Sequence, residues 1–325
     1  MVTVLPVCVV GLGLIGGSVL RAAGAAGRAV WGATTSATDA DGARAAGFTV
    51  EADVDDALRR ADAEDALIVL AVPLTAMSDV LRSVSTFAPG CRLTDVASVK
   101  GAVAEAVRKI NPYARYVGGH PMAGASRSGW VSGSAELFRD AAWVVNTEDD
   151  VDQEAWSEVV RLALSCGAYV VPSSAAAHDD AVARVSHLPH LLAAVLATVG
   201  VDGGPLALAL AASSFGDGTR VAASRPELVQ AMCEANRAAL LDAVDEALGR
   251  LGAARGSLAS TGGLAATVNA GYLARRELEQ HRSAARRTVQ VDLTAEGALA
   301  KLRDLGNQGG RLTSLEGMTA TLRIV

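Results

Sequence analysis

The sequence predicts an N-terminal doubly wound α/β domain with a mainly parallel sheet, followed by an all-α C-terminal domain. Two observations support this prediction. In residues 1–172, short apolar runs alternate with segments of helical periodicity, which is the rhythm of βαβ units. In residues 173–282, long stretches of helical periodicity follow one another without a strand pattern. Residues 283–325 form a C-terminal extension to which the sequence assigns no role.

The expected strands of the first domain are short apolar runs with turn residues at their ends. They are Val7–Val10, Ala29–Trp31, Ala66–Ala71, Arg92–Thr94, Arg115–Gly118, Ala142–Asn146 and Ala168–Val171. Segments with helical spacing, such as Ser18–Ala26 and Val151–Leu164, lie between them. The run Ala66–Ala71 is apolar on both faces, as in a parallel strand that helices cover on each side.

The second domain contains long apolar helical patterns. These are Asp179–Thr198, Leu206–Ala212, Pro226–Leu251 and Leu264–Gln280. The two longest helices are too apolar to be covered by one small domain, so we expect a homodimer that buries them. In the extension, strand-like runs at Thr288–Leu293 and Thr319–Val325 flank a helical pattern at Glu296–Leu305.

Composition limits the classes of function. The chain has 325 residues, 50% of them hydrophobic, and a net charge of −6, so no basic surface is expected to bind nucleic acid. The four cysteines form no CxxC pair, which favours reduced thiols. The N-terminus lacks the features of a signal peptide, and the apolar run Leu191–Val199 is too short to cross a bilayer. We therefore expect a cytoplasmic protein without a membrane partner.

A glycine-rich segment follows the first expected strand. Gly11, Gly13 and Gly16 form a GxGxxG pattern between a strand and a helix, which is the dinucleotide-binding pattern of the Rossmann fold. The first glycine permits the turn, the second lets a pyrophosphate approach, and the third allows close packing. The residues that we expect to contact the cofactor are Gly11, Gly13, Leu14, Ile15, Gly16, Thr34, Val72 and Pro73.

The end of the second expected strand bears on the choice between NAD and NADP. A carboxylate usually stands there to bind the ribose hydroxyls. In this chain Thr34, Thr35 and Ser36 follow instead, and the first carboxylate is Asp39. The hydroxyls could contact a 2′-phosphate, although no arginine accompanies them. The cofactor is therefore NAD or NADP, with a slight preference for NADP.

Two segments of the first domain carry polar side chains just beyond expected strands, where a parallel sheet binds its ligands. His120, in Gly-Gly-His-Pro-Met-Ala-Gly, could accept a proton during catalysis or could stabilise its own loop. Ser98, in Asp-Val-Ala-Ser-Val-Lys-Gly, could contact a substrate hydroxyl or could cap the next helix.

Two segments of the helical domain are further candidates. His187 and His190 flank Pro189, which should kink its helix, and they could line a pocket or be core residues. A metal site is not expected, because no cysteine or carboxylate stands at a suitable spacing. Arg220 lies in a glycine-rich connector, where it could bind a carboxylate or face solvent.

Together these motifs resemble the prephenate/arogenate dehydrogenase family over about 275 residues. The resemblance implies a dimeric enzyme that oxidatively decarboxylates prephenate to 4-hydroxyphenylpyruvate, arogenate to tyrosine, or both, with hydride transfer to NAD(P)+. It implies that His120 accepts the proton of the ring hydroxyl, that Ser98 orients this hydroxyl, and that Arg220 binds a carboxylate. His190 and His187 would line the ring pocket.

The chain also departs from the family pattern. Some relatives carry an acidic residue six positions after the catalytic histidine, where this chain has Ser126. We assign Ser126 to the substrate site, and its identity leaves the preference between prephenate and arogenate open.

Other functions compete with this interpretation. A relative that acts on 4-amino-4-deoxyprephenate would have nearly the same site. Dehydrogenases of the β-hydroxyacid or imine type typically use a lysine of the helical domain, and this chain has none between Lys109 and Lys301. A binding module that senses the cofactor without catalysis would not need His120, Ser98 and Arg220 together.

Overall fold

The structure is a computed structural model that describes residues 4–124 and 127–325. The chain divides into two compact units. The first runs to His178 and also includes Thr288–Ile324, whereas the second comprises Asp179–Arg287. The predicted boundary at residue 172 therefore lies six residues before the end of the first unit's N-terminal segment.

A parallel six-stranded sheet forms the N-terminal part of the first unit. Its strands, in the spatial order β3-β2-β1-β4-β5-β6, pair in parallel throughout. They are β1 Val7–Val10, β2 Val30–Ala33, β3 Thr49–Val50, β4 Leu67–Leu70, β5 Arg92–Asp95 and β6 Arg115–Val117. The connecting helices are α1 Leu14–Ala25, α2 Ala37–Ala45, α3 Val54–Ala63, α4 Leu74–Phe87 and α5 Gly101–Ile110.

Two hydrophobic clusters cover this sheet. Val7 and Val9 belong to one cluster, and Cys8 and Val10 belong to the other, because successive side chains of a strand point to opposite faces. Strand β4 is buried along its whole length. The Rossmann-type parallel sheet that the sequence predicts is therefore confirmed.

The chain then enters a second sheet that the sequence did not predict. It continues through β7 Gly119–Pro121, a short 3-10 helix at Trp130–Ser132, β8 Ala142–Asn146, α6 Gln153–Ser165 and β9 Tyr169–Ser173. Strand β7 pairs antiparallel with β8, and β8 pairs parallel with β9. The expected strand Arg115–Gly118 ends at Val117, because the Gly118 carbonyl accepts a hydrogen bond from the Asn146 backbone N–H at 2.8 Å.

The second unit is helical, as the sequence predicts. The chain passes through α7 Ala175–Val182, a π-helical turn at Ala183–His187 and then α8 Leu188–Asp202. The π-helical turn ends two residues before Pro189, where a helix loses a backbone donor. The helices that follow are α9 Gly204–Ala209, α10 Ser213–Thr219, α11 Pro226–Ala235, α12 Arg237–Ser260 and α13 Ala265–Ser283.

The C-terminal segment returns to the first unit, so residues 283–325 are not a separate extension. Its elements are β10 Arg287–Asp292, α14 Ala298–Asn307, β11 Arg311–Glu316 and β12 Thr319–Ile324. Strand β11 pairs antiparallel with both β9 and β12, which gives the order β10-β12-β11-β9-β8-β7. Helix α14 packs so closely that a Cβ on Gly306 would lie 1.8 Å from the Pro172 carbonyl oxygen. The buried side chains of Leu302, Leu312 and Leu322 join the core of the first unit.

Candidate active site

The glycine-rich turn connects β1 to α1 and leaves little room for side chains at two positions. Gly11 has a φ of +95°, and a Cβ there would lie 2.5 Å from the Ala71 carbonyl oxygen. A Cβ on Gly16 would lie 1.9 Å from the Gly11 carbonyl oxygen. A Cβ on Gly13, by contrast, would meet no described protein atom within 4 Å. Protein atoms therefore leave no room for a side chain at Gly11 and Gly16, whereas the space at Gly13 allows a ligand to approach the N-terminus of α1.

The other residues expected at the cofactor lie near this turn. Leu14 and Ile15 form the first turn of α1, and no acidic side chain stands there. Val72 lies beside Gly11, because its Cγ1 would be 3.1 Å from a Cβ on that glycine. Pro73 caps α4 at the end of the neighbouring strand. The first unit therefore brings these residues to one edge of the parallel sheet.

After β2, the side-chain hydroxyls of Thr34 and Ser36 accept hydrogen bonds from backbone N–H groups. Thr34 Oγ1 accepts a hydrogen bond from the Ser36 N–H at 3.3 Å, and Ser36 Oγ caps α2 by accepting one from the Asp39 N–H at 3.2 Å. The Asp39 carboxylate accepts a hydrogen bond from the Trp130 N–H at 2.8 Å. The first carboxylate after β2 is therefore bound to the protein's own backbone.

The segment around Trp130 packs on the nucleotide-binding helices, which the sequence did not predict. The Arg21 guanidinium lies 3.4 Å from the centre of the Trp130 ring, and burial lowers the pKa of Arg21. Ser18 Oγ accepts a hydrogen bond from the Ser134 N–H at 3.0 Å. A Cβ on Gly17 would lie 2.8 Å from the Trp130 ring. Glycines of α1 therefore serve packing as well as the turn.

A buried ion pair supports the loop that contains Ser98. Lys100 is fully buried, and its ammonium donates hydrogen bonds to the Asp95 carboxylate and, at 2.7 Å, to the Gly119 carbonyl oxygen. The Tyr116 hydroxyl donates to the same carboxylate at 2.6 Å. Because the network joins the end of β5 to β7, it ties the half-buried Ser98 loop to the strand of His120.

His120 lies in the middle of β7, opposite Val144 of β8. Its Nδ1 is 2.8 Å from Nε2 of His178, and the two rings meet edge to face with their centres 5.1 Å apart. His178 belongs to α7 and is only 3% exposed, whereas His120 is half-buried. Sequence reasoning overlooked His178, which stands 58 positions from its partner.

The two candidate histidines of the helical unit differ in their surroundings. His187 is fully buried at the end of the π-helical turn, and its Nδ1 lies 3.1 Å from Nδ2 of Asn236. The same amide nitrogen donates to the Asp179 carbonyl oxygen at 2.7 Å. His190 is half-buried, and its Nδ1 makes no hydrogen bond to any described residue. His187 therefore has a clear structural role within this unit.

Arg220 is exposed, but it does not lie in the connector that the sequence predicts. Residues 213–219 form α10, and Arg220 begins a 3-10 helix at its end. Phe215 packs so closely on α8 that a Cβ on Gly200 would lie 2.3 Å from its ring. This packing explains why a segment with two glycines is helical here. Arg220 forms no ion pair with another residue of the described ranges.

Ser126, which the sequence assigns to the substrate site, is not among the described residues. Within residues 4–124 and 127–325, the structure contains no group of three His, Cys, Asp or Glu side chains that could hold a metal ion. The catalytic and binding roles assigned to the individual side chains remain predictions.

Comparison with known proteins identifies the family. The nucleotide-binding domain of prephenate dehydrogenase matches residues 17–172, and its dimerization domain matches residues 174–261. These two matches cover most of the chain. The chain belongs to the prephenate dehydrogenase family.

Individual proteins similar to this chain agree with the family assignment. A cyclohexadienyl dehydrogenase of Zymomonas mobilis is 34% identical over 275 residues, which are 79% of this chain and 89% of that protein. A Corynebacterium glutamicum structure provisionally described as a prephenate dehydrogenase is 45% identical, with a TM-score of 0.89 over 94% of this chain and 98% of that one. The Synechocystis arogenate dehydrogenase structure is 27% identical, with a TM-score of 0.72 over 84% of this chain and all of that one.

Membership of the prephenate dehydrogenase family confirms the predicted family and the two-part fold class. It also confirms the predicted reaction class, NAD(P)-linked oxidative decarboxylation of prephenate or arogenate. Both matched ranges carry candidate residues, since His120 lies in the first range and His190 and Arg220 lie in the second.

Proposed function

We propose that this enzyme oxidises prephenate, arogenate or both, with His120 as the base and NADP as the preferred cofactor. The observation that carries the proposal is the position of His120, whose half-buried ring is held by His178 on a strand tied to the Ser98 loop. A histidine held in this way within a nucleotide-binding unit suits an oxidation in which a proton leaves a hydroxyl oxygen and a hydride leaves the carbon that bears it.

The residues of the glycine-rich turn fit a dinucleotide. Gly13 provides space at the N-terminus of α1, where backbone N–H groups and the helix dipole favour a pyrophosphate. Val72 and Pro73, at the edge next to Gly11, are suited to contact the cofactor beyond this point. When bound, the cofactor supplies an acceptor for the hydride.

His120 removes the proton from the ring hydroxyl in this proposal. Transfer of that proton to the imidazole lets the carbon–oxygen double bond form as the hydride departs. Ser98, in the loop anchored by Lys100, orients the hydroxyl toward the imidazole. Loss of the ring carboxylate as carbon dioxide then makes the ring aromatic, so the protein has mainly to position the reacting groups.

The helical unit contributes the substrate contacts. Arg220 binds a carboxylate of the substrate through paired N–H donors, a role supported by its exposure and by the lack of an ion pair with any residue of 4–124 and 127–325. His190 lines the ring pocket, and His187 supports it from the core through Asn236. The net charge of −6 makes such a local anchor necessary for an anionic substrate.

The preference for NADP rests on the end of β2. Thr34 and Ser36 offer hydroxyls there, whereas the carboxylate of Asp39 is already bound to the Trp130 N–H. A carboxylate beside the ribose would repel a 2′-phosphate, and hydroxyls would not. Thr34→Asp should therefore reduce the ratio of NADP to NAD activity.

A homodimer is the proposed assembly. The helical unit matches a dimerization domain, and its helices expose large apolar side chains such as Val199, Leu241 and Leu248. Residues 175–202 are long and apolar enough to cross a membrane by length and composition alone, and 22% of an apolar 18-residue stretch within them is buried. We assign the exposed apolar surface to the second subunit. Localisation in the cytoplasm remains a prediction.

The proposal is tested by mixing the purified protein with prephenate or arogenate and with NAD or NADP in all four combinations. We expect the absorbance of the reduced nicotinamide to rise in at least one mixture, most strongly with NADP. No rise in any mixture, with a folded protein that binds the cofactor, would reject the proposed activity.

A further inference from the structure

A second histidine is built into the surroundings of the proposed base. His178 Nε2 lies 2.8 Å from His120 Nδ1, and His178 is 3% exposed. We propose that His178 is a positioning residue that fixes the tautomer of His120 and shares the proton that His120 takes from the substrate. This inference rests on the proposed function, because it assumes that His120 is the base.

The short distance between the rings sets the tautomer. A hydrogen bond between two ring nitrogens contains one hydrogen, so one nitrogen donates and the other accepts. If His120 Nδ1 donates to His178 Nε2, the neutral His120 ring carries its hydrogen on Nδ1. Its Nε2 is then the basic nitrogen, on the side of the ring away from His178.

The proton moves from the substrate hydroxyl to His178 in two steps. The substrate O–H bond breaks and an Nε2–H bond forms on His120, which becomes an imidazolium. The His120 Nδ1–H bond then breaks and an Nε2–H bond forms on His178, so the charge moves to the buried ring. When the ring carboxylate leaves as carbon dioxide, its electron pair reaches the ring oxygen, and the same steps in reverse return the proton from His178 through His120 to that oxygen.

The first turn of α7 holds His178 in place. The Glu148 carboxylate accepts a hydrogen bond from the Ala175 N–H at 2.7 Å, and the His178 N–H donates to the Ser174 carbonyl oxygen at 2.9 Å. On the β7 side, the charged groups are Asp95 and Lys100, whose ammonium binds the Gly119 carbonyl oxygen next to His120. The Tyr116 hydroxyl binds the same Asp95 carboxylate.

The tautomer can be observed directly by nitrogen NMR on protein labelled at its five histidines. The signals of His120 are those lost in His120→Gln. In the wild-type enzyme without substrate we expect His120 to carry its hydrogen on Nδ1. In His178→Leu this signal should shift toward the Nε2–H form, whereas His178→Gln should keep the Nδ1–H form, because its side-chain oxygen can accept the hydrogen bond.

Kinetics give the second measurement. We expect His178→Leu to lower kcat roughly 30-fold and His178→Gln roughly threefold or less, with little change in the Kd of the cofactor. The acidic limb of the kcat/KM profile should move to lower pH in His178→Leu, since the imidazolium of His120 loses its acceptor. The matched control is His281→Gln, at an exposed histidine of α13. This variant should leave both kcat and the acidic limb of the kcat/KM profile unchanged.

The outcomes separate this inference from the proposed function. An unchanged His120 tautomer in folded His178→Leu would overturn the inference, even in an active enzyme. If the tautomer shifts as expected but the protein shows no activity with any pair of substrate and cofactor, the proposed function is rejected. The pairing of His120 with His178 is then still supported. If His178→Leu does not fold, His178→Gln decides, because loss of the Nδ1–H form in that variant would contradict the inference.

Discussion

The two units differ in how completely each buries its own apolar side chains. The first contains two hydrophobic clusters, one on each face of the parallel sheet, with fully buried residues such as Trp31, Leu67 and Trp156. The helical unit buries little by itself. On its longest helix, α12, Leu240 and Ala243 are buried, whereas Leu251 is 66% exposed. The first unit can therefore form its core alone, and the second depends on a surface that covers it.

The polar side chains show the same contrast. In the first unit, Lys100 and Asp95 are fully buried and bind each other, so their geometry is fixed by the unit itself. In the helical unit, Arg220 is exposed and at the end of a short helix. The proposed base is therefore preorganised, whereas the proposed anchor depends on its ligand for order.

The largest expected effect concerns the base. His120→Asn should lower kcat about 1,000-fold, because general base catalysis of this kind contributes a factor of that size. The Kd of the cofactor, measured by fluorescence titration, should stay within a factor of about two, since the glycine-rich turn is unchanged. A variant with wild-type kcat would remove His120 from the mechanism.

The next effect tests the preorganisation of the first unit. Lys100→Met leaves the Asp95 carboxylate buried without its cation, which should destabilise the protein by about 3 kcal/mol. Urea unfolding of the first unit measures this loss. The double variant Asp95→Asn with Lys100→Met should recover part of it. Equal stability of Lys100→Met and the wild type would show that the ion pair does not hold the loop.

A third prediction addresses the exposed surface of the helical unit. Leu241→Glu with Leu248→Glu should weaken the dimer by about 100-fold, since two apolar side chains lose their burial. Light scattering coupled to size exclusion would detect the monomer. The control is Tyr113→Glu, at a large side chain of the first unit that is more exposed than either leucine, which should leave the mass unchanged. Dimers of unchanged stability in the double variant would place the interface elsewhere.

The smallest effect concerns the anchor. Arg220→Ala should raise KM about tenfold with a smaller change in kcat, because a hydrogen bond to a charged group contributes about 1.5 kcal/mol. Arg220→Lys should recover part of the affinity, since a lysine keeps the charge but not the paired donors. Steady-state kinetics with the preferred substrate give both constants. If KM does not change, another residue binds the carboxylate.

Most strands of the first unit could be predicted from the sequence, because their signals are local. Val7–Val10 was predicted to its observed ends, and Ala142–Asn146 likewise. Strand β3 was missed because it has two residues, too few to show a pattern. Strand β11 was missed because Arg311–Glu316 is polar and lies partly exposed in its sheet.

The candidate site was predicted in part for the same reason. Gly11, Gly13 and Gly16 act within one turn, so their spacing reveals their role. Lys100 is one of three lysines in the chain, but its partners Asp95, Tyr116 and Gly119 could not be inferred from spacing. Recognising His178 would have required knowledge that α7 packs beside β7.

By itself, the sequence determined most strands and helices of the parallel sheet, the nucleotide-binding turn and the family, because each depends on residues close together in the chain. Tertiary structure decided the second sheet, the return of the C-terminal strands to β9, and the contact between His120 and His178. These features join residues that are distant in the chain. Pairing of strand edges and burial of side chains select such contacts, and local periodicity does not encode them.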